Sequence, residues 1–214
     1  MAQVSDREGA RLDRRNWLVP RQSVGTRGQE SIKRAMDITL SLIALIILSP
    51  LLAVFALLIK IDSPGPVLFK HKRLGRNGEP FDIYKFRTMV VDAQELFRED
   101  RSRLVLQNDP RITRVGRFLR LGFDELPQLI NVLKGEMSIV GPRPDDLYAI
   151  DLYSEQEAKK LKMKPGITGL AEVKGRNRLS WRQRVAYDVE YVENWSLWLD
   201  LKIILSTWKI FLYH

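Results

Sequence analysis

The most prominent pattern in the chain is a run of 22 residues, 38–59, with no charged side chain and with Thr39, Ser41 and Ser49 as its polar exceptions. A helix of that length, rising about 1.5 Å per residue, can cross the apolar layer of a bilayer. Pro50 falls inside the run, directly after Ser49. Proline removes a backbone donor and crowds the preceding turn, so it kinks or breaks a helix. Basic residues flank the run on both sides, Lys33 and Arg34 before it and Lys60, Lys70, Lys72, Arg73 and Arg76 after it. Positive flanks stay on the cytoplasmic face, which favours a hairpin that enters and leaves by one side. A kinked helix that crosses is the competing reading, and a helix buried in a soluble core fits so long an uncharged run less well.

Beyond residue 62 the pattern is that of a soluble domain. Residues 63–66 read as a turn, 67–70 as a short strand, 74–80 as a hairpin or loop, and 81–86 alternate as a strand. Residues 90–105 read as a charged helix. After a break at Asn108-Asp109-Pro110 comes an arginine-rich helix over 112–121. A further helix is expected to open at Asp124 and run to 133, with Leu126, Leu129, Ile130 and Leu133 on one face and Gly135 ending it. Helices are also expected over 154–162 and 179–191. The tail, 195–213, is aromatic and apolar but interrupted by Asp200, Lys202 and Lys209. It reads either as a helix lying in a membrane interface or as one closing the soluble core. Residues 1–30 form a polar arm carrying Arg7, Arg11, Arg14, Arg15, Arg21 and Arg27, without the apolar core of a signal peptide.

Composition narrows the partners. A net charge of +9 points to an anionic partner: nucleic acid, anionic lipid or a phosphorylated substrate. With no cysteine there is neither a disulfide framework nor a thiolate metal site, and two histidines give little support to a histidine metal centre or triad. The acidic pair Asp124-Glu125 stands at an expected helix start, where free N–H groups favour a phosphate; such carboxylates can cap, bind Mg²⁺ or attack phosphorus. An acidic capping pair is the plainer alternative. Lys85, Arg87, Arg111, Arg114, Arg117, Arg120 and Arg143 supply cations suited to phosphate oxygens, though any one such residue is more often a solvated surface charge than a ligand. Pro142 and Pro144 stiffen the chain on both sides of Arg143, and Lys164-Pro165-Gly166-Ile167-Thr168-Gly169 reads as a second fixed turn.

In order, the strings KRAMD (33–37), Ser49-Pro50, YKFRTM (84–89), DPRITRVGRFLR (109–120), DELPQLINVLKGEMSIVGPRP (124–144), KPGITGLAEVKGRN (164–177) and YVENWSLWLDLKI (191–203) resemble those of the monotopic phosphoglycosyl transferases. This bacterial sugar transferase family starts capsule, exopolysaccharide and glycoprotein glycan assembly. The resemblance implies a mainly α fold with short β elements (α+β). It covers about Ser31 to Lys209, and with the flexible basic arm (1–30) the parts would be a re-entrant membrane helix-break-helix (31–61) broken at Ser49-Pro50, a cytosolic catalytic domain (62–194) and an interfacial C-terminal helix (195–214). It implies transfer of a sugar 1-phosphate from a UDP-sugar to polyprenyl (undecaprenyl) phosphate at the cytoplasmic face of the bacterial inner membrane. Asp124 would be the nucleophile that forms a phosphosugar intermediate and releases UMP, and Glu125 with Asp124 would hold Mg²⁺. Lys85, Arg87, Arg120, Pro142, Arg143 and Pro144 would contact substrate. Membrane lipids are expected partners, a homodimer is compatible, and no nucleic acid is expected. The segment Arg120-Leu121-Gly122-Phe123-Asp124 departs from the family pattern: it is one residue shorter, with Gly122 where serine is usual. The alternatives are a membrane-anchored basic protein that binds lipid or nucleic acid without catalysis, a glycosyltransferase that moves only the sugar, and a scaffold without activity.

Overall fold

The computed structural model describes residues 24–91, 93, 109–175 and 178–212, with side chains to 208. Most of the helix expected over 90–105 and most of the N-terminal arm lie outside the described residues. The uncharged run folds as part of one α-helix, α1 (Arg27–Asp62), which opens on a capping box between Thr26 and Gln29. Among the described residues it is the one helix long and apolar enough to cross a membrane. The expected interruption at Ser49-Pro50 is instead a proline inside a continuous helix. Pro50 has no N–H to offer the carbonyl of Ile46 one turn back, and the Ser49 hydroxyl donates to that carbonyl at 2.8 Å. The serine thus satisfies the acceptor that the proline leaves open, which lets the helix continue.

A β-hairpin follows. β1 (Leu68–Leu74) and β2 (Pro80–Phe86) pair antiparallel, with Leu68 opposite Phe86 and Leu74 opposite Pro80. α2 (Arg114–Leu119) opens on the side chain of Thr113. Asp124 and Glu125 do not begin an α-helix as expected. They sit in a 3-10 turn, Phe123–Glu125, and α3 (Gln128–Lys134) starts only after Pro127, which takes the N-cap. Gly135 ends α3 in the left-handed conformation. Buried Asn131 of α3 clamps the hairpin: its Oδ1 accepts from the Tyr84 amide at 3.0 Å and its Nδ2 donates to the Asp82 carbonyl at 2.7 Å.

β3 (Ser138–Val140) and β4 (Gly166–Thr168) form a short parallel pair. The second of the expected fixed turns is therefore partly a strand. Between them lie α4 (Glu155–Ala158), capped by Ser154, and a 3-10 segment, Lys159–Lys162, where a single helix was expected. α5 (Leu170–Lys174), α6 (Trp181–Glu193) and α7 (Leu197–Leu212) complete the chain.

One face of α7 closes the core, and the opposite face is apolar and uncovered. Asp200 and Ile203 are buried inward, while Trp198, Leu205 and Trp208 are exposed. Asp200 is not an interruption but an anchor. It accepts from Lys33 of α1 at 2.6 Å and from the Tyr191 hydroxyl at 2.6 Å, tying three helices together.

α1 packs on the domain at two places. Near its start, Asp37 accepts from the Ser138 hydroxyl and the Ile139 amide, and Arg34 donates to the last carbonyls of α3. Near its end, Phe55 and Ile59 are buried with Phe86 and Leu119, against Phe123 and Leu126. Between these contacts one side of the helix is largely uncovered: Ile46 and Ile47 are 64% and 69% exposed.

Candidate functional site

The acidic pair is positioned by what surrounds its turn. Gly122 has φ 126°, a value L side chains rarely adopt, and its amide bonds back to Leu119. This sharp reversal takes the chain from α2 to Asp124 in few residues, which gives the shortened segment and its glycine a physical reason. On either side of the pair, Phe123 and Leu126 pack against the end of α1, so the turn sits at the foot of the apolar helix.

Cations arrive from three directions. β2 delivers Lys85, whose Nζ donates to Glu125 Oε1 at 2.5 Å. The end of α2 delivers Arg120, whose Nε donates to the Thr88 hydroxyl at 3.1 Å. Burial lowers the pKa of Arg120, with Asp124 and Asp109 opposing that effect. The loop after β3 delivers Arg143. Burial works against its charge, but Glu172 and then Glu125 hold its pKa above the ordinary value. Asp124 is pushed above its ordinary value by burial first; Lys85 opposes the shift, Glu125 adds to it and Arg120 opposes it. Among the described residues no other side chain hydrogen-bonds to the Asp124 carboxylate, since Lys85 is turned to Glu125. Asp124 is thus a part-buried carboxylate in a positive field that accepts from its own backbone amide and from no other side chain, which leaves it room to act as a nucleophile or ligand.

The structure therefore brings together Asp124, Glu125, Lys85, Arg120 and Arg143. It does not bring Arg87 to them. That guanidinium is buried and donates to the carbonyls of Ser63 and Pro64, where it closes the exit from α1. Pro142 contributes its backbone, accepting from the Gly166 amide at 2.9 Å, and with Pro144 it frames Arg143. Gly141 and Gly166 run so close that a Cβ on either would meet the other segment's backbone at 2.1–2.8 Å.

Sequence reasoning missed the support behind Arg143. Its Nη1 donates to Glu172 at 2.5 Å, and its amide lies 3.2 and 3.3 Å from the two Asp188 carboxylate oxygens. Asp188 in turn pairs with the buried Lys160 at 2.7 Å, which also donates to Asp145 at 2.7 Å. One signal was available: Asp188 falls on the buried stripe of α6 with Val185, Val189 and Val192, where a carboxylate needs a partner.

Among the described residues no three acidic, histidine or cysteine side chains gather to hold a metal. Two adjacent carboxylates suit a hard cation such as Mg²⁺, which takes its remaining ligands from phosphate oxygens and water. Asp124 and Glu125 fit that requirement.

A cation-ringed carboxylate pair at the foot of one long apolar helix is consistent with a membrane protein whose site handles an anionic group. Residues 28–214 match the bacterial sugar transferase family. The exopolysaccharide production protein ExoY of Rhizobium meliloti is 43% identical over 187 residues, covering 82% of this chain and 83% of its own. The undecaprenyl-phosphate galactose phosphotransferase of Salmonella typhimurium is 43% identical over 202 residues, covering 89% of this chain and 42% of its own. The UDP-glucose:undecaprenyl-phosphate glucose-1-phosphate transferase of Escherichia coli is 43% identical over 191 residues, covering 82% of this chain and 39% of its own. The chain thus spans most of the first relative and about two fifths of the other two. It belongs to the bacterial sugar transferase family and is a transferase.

Proposed function

We propose that this transferase moves a sugar 1-phosphate from a UDP-sugar to polyprenyl phosphate, as a first membrane step in glycan or exopolysaccharide assembly. The observation that carries the reading is Asp124, part-buried, without a hydrogen bond from another side chain and in the field of Lys85 and Arg120. The names of the Salmonella and Escherichia coli relatives supply the acceptor, and the latter name supplies the donor class. An Asp124 oxygen attacks the phosphorus that bears the sugar. The bond from that phosphorus to the bridging oxygen breaks, and UMP leaves with that oxygen. A phosphate oxygen of the acceptor then attacks the same phosphorus, and the Asp124 carboxylate is released as the polyprenyl diphosphate sugar forms. Lys85, Arg120 and Arg143 stabilise charge on the phosphoryl oxygens. Mg²⁺, held by Glu125 and Asp124, would supply further charge neutralisation.

The same reading has α1 enter and leave the inner membrane from the cytoplasmic face, bending at Ser49-Pro50 within the continuous helix. Both ends of α1 pack on one domain while Ile46, Ile47, Ser49 and Pro50 between them are exposed, which supports a bend at that pair sunk in lipid. The soluble donor and the lipid acceptor would then meet at headgroup depth.

Identification of the released nucleotide tests the reaction. The full chain in nanodiscs with Mg²⁺, undecaprenyl phosphate and a panel of UDP-sugars is expected to release UMP with one donor. Release of UDP would point to transfer of the sugar alone and overturn the proposal.

A further inference from the structure

The short helix α2 and the turn after it carry large apolar side chains that the domain does not cover. Phe118 is 50% exposed and Leu121 is 70% exposed. Both lie within six residues of Asp124, and Phe118 is fixed rather than loose. Its ring stacks on Phe123 with centroids 5.3 Å apart and planes 18° apart, and meets Phe55 of α1 edge-on at 6.1 Å. Phe55 also lies 5.5 Å from Phe123. Three rings thus run without a gap from the apolar helix to the residue next to Asp124.

Depth distinguishes this patch from an ordinary exposed hydrophobic. Phe55 stands four residues inside the end of the uncharged run at Ile59, roughly 6 Å along the helix. With α1 set in lipid as proposed above, a residue in ring contact with it sits at the level of the upper acyl chains. On α1, Leu51 and Leu58 share a face with Phe55 at i−4 and i+3, and both are partly exposed. The uncovered side chains of Leu51, Leu58, Phe118 and Leu121 thus run from α1 to the turn before Asp124 and offer an apolar seat beside it. Bulk lipid needs only an apolar surface. A seat whose inner end is the residue next to the reacting carboxylate fits a ligand that is apolar along its length and anionic at its tip.

We propose that Phe118 and Leu121, with Leu51 and Leu58 of α1, bind the first isoprene units of the acceptor and so bring its phosphate to Asp124. This assignment rests on the reaction proposed above. Phe118 and Leu121 act on the acceptor chain and leave the donor untouched.

The test is UMP release by the full chain in nanodiscs, with undecaprenyl phosphate and UDP-sugar varied separately. Leu121→Ser and Phe118→Ala are each expected to raise the KM for undecaprenyl phosphate about tenfold, the order expected for losing one apolar contact. The KM for the UDP-sugar and co-sedimentation with phosphatidylglycerol vesicles should stay at wild-type values. Phe118→Leu, which keeps apolar bulk, should recover most of the loss, separating lost contact from a disturbed turn. An unchanged acceptor KM in both Leu121→Ser and Phe118→Ala would overturn the seat, as would weaker vesicle binding accompanied by equal shifts in both KM values. Wild-type chain that releases no UMP would instead contradict the underlying reaction.

Discussion

Two clusters of charge lie on either side of Arg143, and they are built on opposite plans. Behind it, Lys160 is buried between Asp145 and Asp188, and the Tyr153 hydroxyl and the Arg143 amide fill further positions on those carboxylates. Every charge there has a partner at hydrogen-bond distance. In front of it, Asp124 is buried enough for its pKa to rise, yet it takes no hydrogen bond from another side chain, and its nearest cation is turned to Glu125. A closed network holds a loop in shape. An open one leaves a carboxylate poised to bond to something that is not protein. The contrast separates charges that position from charges that react.

The largest expected effect falls on the open cluster. Asp124→Asn should lower UMP release by about a thousandfold or more, the order seen when a covalent nucleophile is removed. Its expression and extraction should be normal. Residual turnover near the wild-type rate would remove Asp124 from the reaction.

The closed cluster should answer in stability. Lys160→Met leaves two buried carboxylates without their cation and should cost about 3–5 kcal/mol, seen as a drop in Tm. Lys85→Met, at the open cluster, should cut activity by roughly a hundredfold with little change in Tm, because Lys85 and Glu125 are both part-exposed. If both substitutions moved Tm alike, the two clusters would not differ in kind.

A pH series sharpens the same point. Because burial raises the folded-state pKa of Asp124 above its unfolded value, folding favours the protonated carboxyl. That contribution is complete below the unfolded pKa and is lost as pH rises through the folded one. At neutral pH the charged carboxylate therefore destabilises the fold. Asp124→Asn should raise Tm at neutral pH, and the gain should shrink as pH falls into the ordinary carboxylate range. A gain independent of pH would show that charge is not the cause. The smallest effect is expected of Glu172→Gln, which keeps a hydrogen bond to Arg143 but removes the charge. A few-fold rise in the KM for the UDP-sugar, with kcat nearly unchanged, would mark Glu172 as a positioning residue.

Much of this was legible because it is local. The uncharged run, the hairpin, the end of α3 at Gly135 and the start of α6 after Ser180 each follow from a few neighbouring residues. The acidic pair, Arg120 and Arg143 could be named for the same reason. What escaped depends on distance along the chain. β3 and β4 have three residues each, and their pairing brings segments far apart in sequence together, so no periodicity announces them. Arg87 has the residue type of a phosphate ligand, but its guanidinium closes on two backbone carbonyls 23 and 24 residues earlier. Pro50 reads as a break until the Ser49 hydroxyl is seen on the carbonyl that proline leaves open.

The most direct measurement of the central claim is the mass of the Asp124 peptide after the chain meets Mg²⁺ and its UDP-sugar with no acceptor present. The account predicts a phosphosugar adduct on that peptide, absent from Asp124→Asn and discharged when undecaprenyl phosphate is added. UMP formed only when the acceptor is present, with the peptide unmodified throughout, would mean direct transfer between substrates and would contradict the covalent aspartate.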